Sequence, residues 1–382
     1  MSDYSAHDHR QMARALQLAA CGLYTSQPNP RVGCVIAKAQ QVVGEGFHQR
    51  AGTPHAEVHA LAAAGTAARG ATAYVTLEPC AHFGRTPPCA DALIAAQVAR
   101  VVVATGDPFA PVCGQGLARL RAAGIRVEVG LMQNDARELN IGFFSRIERA
   151  RPFVRLKMAL SLDGRSALAS GESRWISNAA AREDGHHFRA RASAILTGIG
   201  TVLADDPRLT VRIAQTHVAP LRVVLDRRLR MPLTATLLTS GSPPLIYGAS
   251  DADPQRRTAL QAAGAELVTV PDAALSVPPL HGLSPATTMT GDGFLAAVMA
   301  DLAKRGVNEL QVEAGAILAG ALIAAGLVDE LLIYQSGCLL GSSARPMLAL
   351  PAPPTMAERR EWRLVELVQI ADNWRLRLRP KG

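Results

Sequence analysis

One short stretch of the chain, from His55 to Cys89, limits what this protein can do more than any other part of it. The stretch begins with His55 and, two residues later, Glu57; it then carries Cys80 and Cys89, the first of which follows a proline. One imidazole and two thiols are nitrogen and sulfur ligands of the kind that zinc prefers. Three protein ligands leave one position of a tetrahedral ion open for water, which is the arrangement of a catalytic site. The stretch therefore predicts a catalytic zinc site, with Glu57 as the general acid and base beside it.

The same pattern, H-x-E followed by P-C and a second cysteine, is typical of zinc deaminases. The common spacing of the two cysteines in those enzymes is P-C-x-x-C, whereas Cys80 and Cys89 are nine positions apart. The spacing therefore predicts an inserted loop between two ligands of one ion.

Two other kinds of zinc site fit parts of this pattern. A structural site would need a fourth protein ligand, which His59 or His82 could supply. The HAEVH stretch (55–59) also looks like the H-E-x-x-H helix of zinc proteases, but its glutamate comes one residue later than in that motif. The E-P-C context at 78–80 favours the deaminase pattern over a chance scatter of histidines and cysteines.

The position of the histidine on its predicted helix matters for this site. Residues two apart on a regular helix point about 200° away from each other, so His55 and Glu57 can share an ion only if His55 lies at the edge of the helix. The sequence allows this arrangement, because Thr53 is a good N-cap and Pro54 suits the first helical position. We therefore expect a helix over about 54–64.

The composition is that of a two-domain globular protein from a reducing compartment. The 382 residues, 48% of them hydrophobic with a mean hydropathy of +0.11, are enough for two domains with separate cores. The six cysteines are scattered and form no disulfide framework, which fits a cytoplasmic protein. The N-terminus carries no apolar signal segment, and the longest apolar run, 314–328, is too short and too rich in glycine to cross a bilayer.

The net charge of +8 is compatible with two classes of partner, nucleic acids and small phosphorylated ligands. Proteins that bind single strands need aromatic side chains on which bases stack, but aromatic residues make up only 4% of this chain and the arginines are spread along it. We therefore favour a small phosphorylated substrate, and we expect no nucleic-acid partner, no membrane association and a homo-oligomeric assembly.

The predicted elements divide the chain into two α/β domains, 1–148 and 151–382. In the first domain helices and strands alternate, which predicts helices on both faces of a sheet. Arg151 precedes a proline and therefore avoids helical geometry, so it marks the boundary. The predicted strands of the second domain lie over 153–160, 194–197, 222–226, 245–248, 267–270 and 309–313, with a hairpin over 363–370 and 374–378.

Two places in the second domain could hold a dinucleotide. The strand over 309–313 runs into Gly315 and a helix, and free N–H groups at such a helix start attract a pyrophosphate. The sequence there is not G-x-G-x-x-G, and a glycine needed only for packing would explain it equally well. Arg227 and Arg228 end another predicted strand and could take the 2′-phosphate of NADP, although a solvated turn would also carry them.

Polar residues in loops of the first domain could bind a substrate beside the metal. Asn29 lies between two prolines and could read the edge of a heterocycle, and His48 follows a predicted strand. His82 and Arg85 lie in the loop between the two cysteines and could hold a phosphate. Each of them could also be an ordinary surface residue.

Segments in both domains resemble one family, the bifunctional deaminase–reductases of riboflavin biosynthesis. In family order, the similar segments are NPRVGCVI (29–36), HAEVHAL (55–61), TLEPCAHFGRTPPC (76–89), SLDGR (161–165), ASGESRWIS (169–177), LADDPRLTVR (203–212) and VEAGAILAGAL (312–322). The nine-residue spacing of the two cysteines is itself typical of that family, so the resemblance covers both domains and explains the inserted loop.

The resemblance implies a fold and a reaction for each domain. The N-terminal domain would be a cytidine-deaminase-like three-layer domain that removes the 2-amino group of 2,5-diamino-6-ribosylamino-4(3H)-pyrimidinone 5′-phosphate with one zinc ion. The C-terminal domain would be a dihydrofolate-reductase-like α/β domain, which explains a nucleotide site without Rossmann glycines. It would use NADPH to reduce the ribosyl chain of the product, 5-amino-6-(5-phosphoribosylamino)uracil, to a ribityl chain.

The resemblance also implies roles for individual residues. His55, Cys80 and Cys89 would hold zinc, and Glu57 would move the proton. The residues that match the family's deaminase substrate site are Asn29, His48, His82 and Arg85. The residues that match its cofactor site are Ala159, Trp175, Thr201, Asp205, Gly315, Ala316, Ile317, Leu318, Ala319, Gly320 and Ala321, with Arg227 where the family has serine. The residues that match its reductase substrate site are Ser173, Arg189, Leu209, Arg212 and Glu313, with Lys157 and Asp163 as neighbours.

Overall fold

The computed structural model describes residues 4–81, 87–110, 112–270 and 293–381. The chain divides into two compact units, Met1–Arg149 with Thr216–Val218 and Ala150–Gln215 with Ala219–Gly382. None of the helices in the described ranges combines the length and the apolar character that crossing a membrane requires.

The first unit is built on a five-stranded sheet. Its strands are β1 (Gly33–Lys38), β2 (Gln41–Phe47), β3 (Thr72–Val75), β4 (Arg100–Val103) and β5 (Arg126–Val129). Its helices are α1 (Ala6–Cys21), α2 (Ala56–Ala64), α3 (Cys89–Ala95), α4 (Gln115–Ala122), α5 (Gln133–Leu139) and α6 (Ile141–Arg149). The strand order is β2-β1-β3-β4-β5, with β1 antiparallel to both of its neighbours and β3, β4 and β5 parallel.

Alternate residues of these strands face two separate cores, because successive side chains of a strand point to opposite faces of a sheet. Cys34 and Ile36 of β1 pack in the core that contains residues of α2, α3 and α4. Val35 and Ala37 pack in the core that contains residues of α1 and α5. The unit therefore has three layers, and the prediction of helices on both faces of a sheet is confirmed.

Helix α2, at whose start His55 of the predicted metal site lies, begins later than the sequence predicted. It begins at Ala56 with His55 as its N-cap, so the prediction of Thr53 as the cap and Pro54 as the first helical residue was wrong. Thr53 instead closes a turn, because its N–H and its hydroxyl both donate to the carbonyl of Arg50, at 3.0 and 2.7 Å. His55 has an extended backbone (φ −76°, ψ 168°) and so lies at the helix edge, where the metal site requires it.

The second unit is built on a nine-stranded sheet of order β11-β10-β9-β8-β12-β6-β13-β16-β15. The strands of this unit are β6 (Phe153–Leu160), β7 (Arg165–Ala167), β8 (Ala194–Gly198), β9 (Leu221–Leu225), β10 (Leu245–Ala249), β11 (Glu266–Val270), β12 (Glu309–Val312), β13 (Glu330–Ser336), β14 (Arg345–Pro346), β15 (Trp362–Ile370) and β16 (Asn373–Pro380). The helices are α7 (Ala179–Arg191), α8 (Ile199–Asp205), α9 (Thr236–Thr239), α10 (Pro254–Ala262), α11 (Gly293–Lys304) and α12 (Ala316–Ala324). Strands β7 and β14 form a separate pair.

The order of the parallel strands places a crevice at one edge of this sheet. The seven strands from β11 to β13 are parallel, so their carboxyl ends lie along the same edge. The chain fills the sheet from β6 through β8 to β11 and then returns to insert β12 between β8 and β6. The connection from β8 leads to β9 on one side of the β8–β12 pair, whereas the connection from β12 leads to β13 on the other side. Open α/β sheets bind their ligands at such a point, where the strand order reverses.

A cluster of buried ion pairs joins the central strands of the second unit. Arg155 of β6 is fully buried and pairs with Glu309 of β12 at 3.0 Å and with Glu330 of β13 at 2.6 Å. Arg191 adds a second cation to Glu309 at 2.9 Å, and Arg377 adds one to Glu330 at 2.8 Å. Burying an ion costs several kcal/mol unless it is well paired, so each carboxylate offsets the burial of more than one guanidinium group.

Asp8 joins helix α1 to the sheet of the first unit. Its carboxylate forms a capping box with Ser5, accepts a hydrogen bond from the Tyr74 hydroxyl at 2.8 Å and pairs with Arg100 at 2.6 Å. Burial raises the pKa of Asp8, but the bonds from Arg100, Ser5 and Tyr74 outweigh burial and hold the pKa well below its usual value of 3.8.

We expect Asp8→Asn to lower the free energy of unfolding of the first unit by about 2–3 kcal/mol at neutral pH, because it leaves Arg100 without this charged partner. The folded-state pKa of Asp8 is depressed, so the stability that the carboxylate contributes is complete above its unfolded pKa near 3.8 and is lost as the pH falls below it. Denaturant unfolding at a series of pH values measures this. A difference between the two proteins that stays constant down to about pH 2 would contradict the assignment.

Candidate zinc centre and candidate reductase site

His55, Cys80 and Cys89 come together in the first unit. Their ligand atoms all lie within 4.8 Å of one another, with the Nδ1 of His55 3.2 Å from the Sγ of Cys89 and 3.6 Å from the Sγ of Cys80. His55 is the N-cap of α2, Cys89 is the first residue of α3, and Cys80 lies in the segment that follows β3. Three ligands that are distant in sequence therefore meet where two helices begin.

The start of α3 holds the two cysteines together. The backbone N–H of Cys89 donates to the Sγ of Cys80 at 3.3 Å, and the N–H of Ala90 donates to the Cys80 carbonyl at 3.1 Å. The pKa of Cys80 is lowered, first by a hydrogen bond from the Cys89 thiol and then by bonds from His55 and the Cys89 backbone. The bond to the Cys80 sulfur and burial raise the pKa of Cys89.

The donor set fits zinc. One imidazole nitrogen and two sulfurs at these separations match the ligands and the compactness of a zinc site with three protein ligands. Within the described ranges the cluster contains only these three residues. His59, which could have completed a structural site, is not part of the cluster, and His82 lies outside the described residues.

Glu57 lies in the first turn of α2, beside the three ligands, and only 3% of its surface is exposed. Burial, the largest effect, raises the pKa of Glu57 to about 7, and the neighbouring His55 opposes this rise. A buried carboxyl group with a pKa near neutrality can both take up and release a proton, which is what a general acid and base must do.

The imidazole of His48 is held in one orientation next to this cluster. Its Nδ1 lies 3.3 Å from the carbonyl of Pro54 and its Nε2 lies 3.0 Å from the Nδ2 of Asn29. A carbonyl can only accept and an amide nitrogen can only donate, so Nδ1 carries the proton and Nε2 accepts from Asn29. The His48 ring also meets the His55 ring edge-on at 5.3 Å. Asn29 and His48 are therefore brought to the cluster, whereas Arg85, like His82, lies outside the described residues.

The crevice of the second unit lies between the ends of β8 and β12. The Thr197 hydroxyl donates to the Glu313 carbonyl at 2.7 Å, and the Glu313 N–H donates to the Leu196 carbonyl at 2.9 Å. Gly198 lies against helix α12, because a Cβ at this position would be 3.1 Å from the side chain of Leu318. Gly315 is the N-cap of α12. The N–H groups in the first turn of this helix therefore start at the crevice.

Arg189 and Glu313 form the central ion pair of this crevice. The guanidinium group of Arg189 meets both carboxylate oxygens of Glu313 at 2.6 Å and also donates to the Thr210 carbonyl at 2.8 Å. Burial raises the pKa of Glu313, but Arg189 and Lys157 outweigh it and the pKa is lowered. Burial lowers the pKa of Lys157, and Glu313 opposes this effect. Lys157 lies on β6 two residues before Ala159, so both side chains point to the same face of the sheet.

His186 is a residue of this site that the sequence analysis missed. Its Nδ1 accepts a hydrogen bond from the backbone N–H of Arg212 at 3.2 Å. Burial lowers the pKa of His186 to about 4, and the charges of Arg189 and Arg212 add to this effect, so the ring is neutral. A signal was present in the sequence, because His186 and Arg189 are three residues apart on α7 and therefore share one helix face.

Two of the predicted site residues turn their side chains away from the crevice. Leu209 is 3% exposed and belongs to a hydrophobic core, while its backbone is in the left-handed region (φ +50°), where a large side chain is unusual. Ala319 is fully buried in another core. Gly320 lies against the Ala349 carbonyl, which a Cβ would approach to 2.2 Å. These residues can meet a ligand only through their backbone or by shaping the fold.

The remaining predicted cofactor residues are placed as follows. Trp175 is 68% exposed and the guanidinium group of Arg182 lies 4.3 Å from its ring centre. Asp205 is exposed, and Thr201 precedes it on α8. Arg227 is exposed directly after Asp226 at the end of β9, with its guanidinium carbon 5.0 Å from the ring centre of Phe294. Their grouping around one nucleotide stays a prediction.

The carboxylate of Asp163 is held by hydrogen bonds from other residues of the second unit. Its carboxylate accepts the Ser161 hydroxyl at 2.5 Å and the N–H groups of Leu340 and Gly341 at 3.1 and 2.8 Å. The Ser161 bond, followed by the backbone bonds, lowers the pKa of Asp163 to about 2. Ser173, half-buried in the loop before α7, accepts a turn hydrogen bond from Ile176 at its carbonyl, at 3.2 Å.

Two family models match the chain. One, described as the cytidine and deoxycytidylate deaminase zinc-binding region, covers residues 5–105, and the other, described as the RibD C-terminal domain, covers residues 152–376. The chain is 46% identical over 360 residues to the riboflavin biosynthesis protein RibD of Escherichia coli strain K12, a match that spans 94% of this chain and 96% of that protein. It is 44% identical to RibD of Haemophilus influenzae over 100% of both chains. The chain belongs to the RibD family.

Solved RibD structures are similar over nearly the whole length. Acinetobacter baumannii RibD matches with a TM-score of 0.87 and 44% identity over 98% of this chain and 99% of that one. A Thermotoga maritima protein matches with a TM-score of 0.82 and 29% identity over the same shares, 98% and 99%. It is described as a diaminohydroxyphosphoribosylaminopyrimidine deaminase and 5-amino-6-(5-phosphoribosylamino)uracil reductase.

RibD membership confirms the class of enzyme and its cofactors. The chain is a bifunctional deaminase and reductase of riboflavin biosynthesis that acts on a small pyrimidine, and the predicted zinc and NADPH are confirmed at the level of the family. The two-part α/β fold class is confirmed as well.

We expect Arg189→Met to lower the free energy of unfolding of the second unit by about 2–3 kcal/mol, because it leaves the largely buried Glu313 carboxylate without its partner. The double variant Arg189→Met/Glu313→Gln should recover most of this loss, since no unpaired charge then remains. A double-mutant cycle, in which denaturant unfolding gives the free energy of unfolding of each variant, measures the coupling energy between Arg189 and Glu313. Additive losses would show that the two side chains do not depend on each other.

Proposed function

We propose that this RibD protein deaminates 2,5-diamino-6-ribosylamino-4(3H)-pyrimidinone 5′-phosphate to 5-amino-6-(5-phosphoribosylamino)uracil. It then reduces the ribosyl chain with NADPH to give 5-amino-6-(5-phosphoribitylamino)uracil. The observation that carries the first step is the meeting of one imidazole nitrogen and two sulfurs within 4.8 Å, next to the buried carboxyl group of Glu57. The description of the Thermotoga maritima relative supports the substrate and the order of steps.

We assign the deaminase to residues 1–148 and the reductase to residues 151–382. The two family models support this division, since the zinc-binding region matches 5–105 and the reductase-side domain matches 152–376. The change from one compact unit to the other between Arg149 and Ala150 supports the boundary.

In the deaminase, His55, Cys80 and Cys89 would hold the zinc ion, and Glu57 would be the catalytic residue. Zinc, when bound, supplies a Lewis acid that makes water a nucleophile near neutral pH. Glu57 takes one proton from the attacking water and delivers it to the ring nitrogen. It then takes the second proton from the hydroxyl group that the attack leaves on the ring carbon and gives it to the departing amine, which leaves as ammonia while the carbonyl forms. Its buried position keeps this proton from exchanging with solvent.

Substrate binding in the deaminase would rest on polar loop residues. His48 holds the amide of Asn29 through its Nε2, which leaves the carbonyl oxygen of that amide to accept from the pyrimidine. Residues His82 and Arg85 would meet the phosphate, a role that stays a prediction from the family resemblance.

We expect Glu57→Gln to retain zinc and to lower ammonia release by about 10²–10⁴-fold, because glutamine cannot move the proton. Reduction of the pre-deaminated substrate by the same variant should continue at the normal rate. The half-buried Glu45, which pairs with Arg14, provides the matched control, and Glu45→Gln should leave both activities unchanged. Normal deamination by Glu57→Gln would refute the assigned role.

In the reductase, the nucleotide would lie along the crevice between β8 and β12. The first-turn N–H groups of α12, at Ala316 and Ile317, would take the pyrophosphate, since helix starts attract anions. Arg227 would take the 2′-phosphate, and the other residues of the proposed cofactor site are Ala159, Trp175, Thr201, Asp205, Gly315, Leu318, Ala319, Gly320 and Ala321. Gly315 would let the nucleotide approach the backbone closely.

The sugar phosphate would bind beside the central ion pair of the crevice. NADPH, when bound, supplies the hydride, and the opened ribosyl imine accepts it, so the contribution of the protein is mainly positioning. Arg189 and Glu313 would orient the ribosyl chain, Arg212 would meet the phosphate and Lys157 would face the reacting end. Ser173, Leu209 and Asp163 complete the proposed substrate site.

We expect NADPH to raise the melting temperature of the full-length protein more than NADH does at the same concentration. The reason is that only NADPH carries a 2′-phosphate, which Arg227 would bind. Arg227→Ser should narrow this difference, and calorimetric titration should show NADPH affinity about 10-fold weaker. Arg363→Ser, at an exposed arginine of β15, is the matched control. Equal stabilisation by both nucleotides would contradict the assignment.

The remaining proposals concern assembly and location. The edge strand β15 exposes Leu364, Val365 and Leu367, and an exposed edge of this kind pairs readily with another chain. We therefore infer that the protein is a homo-oligomer, and a light-scattering mass equal to that of the monomer would contradict this inference. We separately propose that it has no nucleic-acid or membrane partner. All six cysteines are free thiols, which supports a cytoplasmic location.

A further inference from the structure

The carboxylate of Glu78 accepts hydrogen bonds from four backbone N–H groups just outside the cluster of proposed metal ligands. Its Oε1 accepts from Gly116 at 3.0 Å and from Leu117 at 3.4 Å, and its Oε2 accepts from Gly114 at 3.1 Å and from Asp107 at 3.3 Å. Only 4% of the surface of Glu78 is exposed. These N–H groups belong to the start of α4 and to the segment before it, so the carboxylate pairs donors that a helix start otherwise leaves unpaired.

The next residue, Pro79, also rests on the start of α4. A Cβ added to Gly116 would lie 1.9 Å from the Pro79 carbonyl oxygen, so the chain at this point touches the helix backbone and only glycine fits. Glu78 and Pro79 are therefore held against α4 by two different contacts, a hydrogen-bonded charge and a close backbone approach. Cys80 follows directly.

A third contact links α4 to both cysteine segments. Arg119, one turn further along α4, donates to the carbonyl of Ala81 at 3.1 Å and pairs with Asp91 of α3 at 2.7 Å. Ala81 follows Cys80, and Asp91 lies two residues after Cys89. Arg119 and Asp91 are partly exposed and contribute little energy by themselves, but they show that α4 touches both segments.

We propose that Glu78 is a positioning residue of the zinc centre, which sets the place of Cys80 relative to Cys89 by tying the chain before Cys80 to α4. This inference rests on the proposed zinc site. Residues that hold metal ligands in place affect metal affinity as well as stability. A carboxylate that served the fold alone would affect only stability.

The isosteric variant Glu78→Gln tests the proposal, because its amide nitrogen cannot accept and faces N–H groups instead. We expect the zinc dissociation constant, measured by competition with a chromophoric chelator, to rise by about 10- to 100-fold. We also expect the thiolate-to-cobalt and ligand-field bands of the Co²⁺-substituted protein to shift, since the sulfur positions change. Reduction of pre-deaminated substrate by the same full-length chain should be unchanged and reports that the second unit is folded.

The matched control is Asp8→Asn, which changes another buried carboxylate of the same unit, on helix α1, which packs on the opposite face of the sheet from α2 and α3. This variant should lower the stability of the first unit and leave both zinc affinity and the Co²⁺ spectrum unchanged. Glu78→Gln would overturn the proposal if it behaved in the same way, with lower stability and unaltered zinc affinity.

A second variant acts on the same place without removing the carboxylate. Gly116→Ala pushes against Pro79 from the α4 side, so it should weaken zinc binding and shift the Co²⁺ spectrum in the same way, even if Glu78→Gln proved too unstable to study. Zinc binding by Gly116→Ala within twofold of that of the parent would count against the proposal. If the parent chain itself bound Co²⁺ without a thiolate band, the proposed zinc centre would fail, which is a different result.

Discussion

The first unit depends on one short contact, the hydrogen bond from the backbone N–H of Cys89 to the sulfur of Cys80 at 3.3 Å. It brings together two residues that are nine positions apart in the chain, and it places both sulfurs at the positive start of α3, where a thiolate is favoured. His55 stands at the start of a second helix, α2. The places where two helices begin therefore set the geometry of the three proposed ligands.

The second unit differs from the first because it binds a dinucleotide without the G-x-G-x-x-G sequence of Rossmann domains. The strand order supplies the crevice, and the Arg189–Glu313 pair ties α7 to the end of β12 there. The loop after α8 is held from two sides, since Arg189 bonds the Thr210 carbonyl and His186 accepts from Arg212. The left-handed backbone at Leu209 is kept by these bonds and by burial of its side chain.

The parts of this protein that the sequence predicts best are those encoded by local pattern. The proposed zinc ligands and Glu57 lie in short motifs, and the succession of strand, glycine and helix at Gly315 can be read directly from the sequence. Thr53 was mistaken for a cap, because its hydroxyl donates to the carbonyl of Arg50 in a turn instead. His186 was missed because its role arises only when α7 packs near the loop of Arg212, and strand β13 was missed because a short apolar run has no distinctive period. His82 and Arg85 stay predictions.

The ion cluster around Arg155 has a consequence for how the central strands align. Arg155 lies opposite Gln311 of β12 and Glu330 of β13. A slip of either strand by two residues would leave every apolar side chain facing its own core, because side chains alternate with a period of two. A two-residue slip of β13 would move Glu330 away from its place opposite Arg155 and leave the buried guanidinium group with one partner fewer, at a cost of several kcal/mol. The buried charges therefore disfavour misaligned sheets that apolar packing alone would accept.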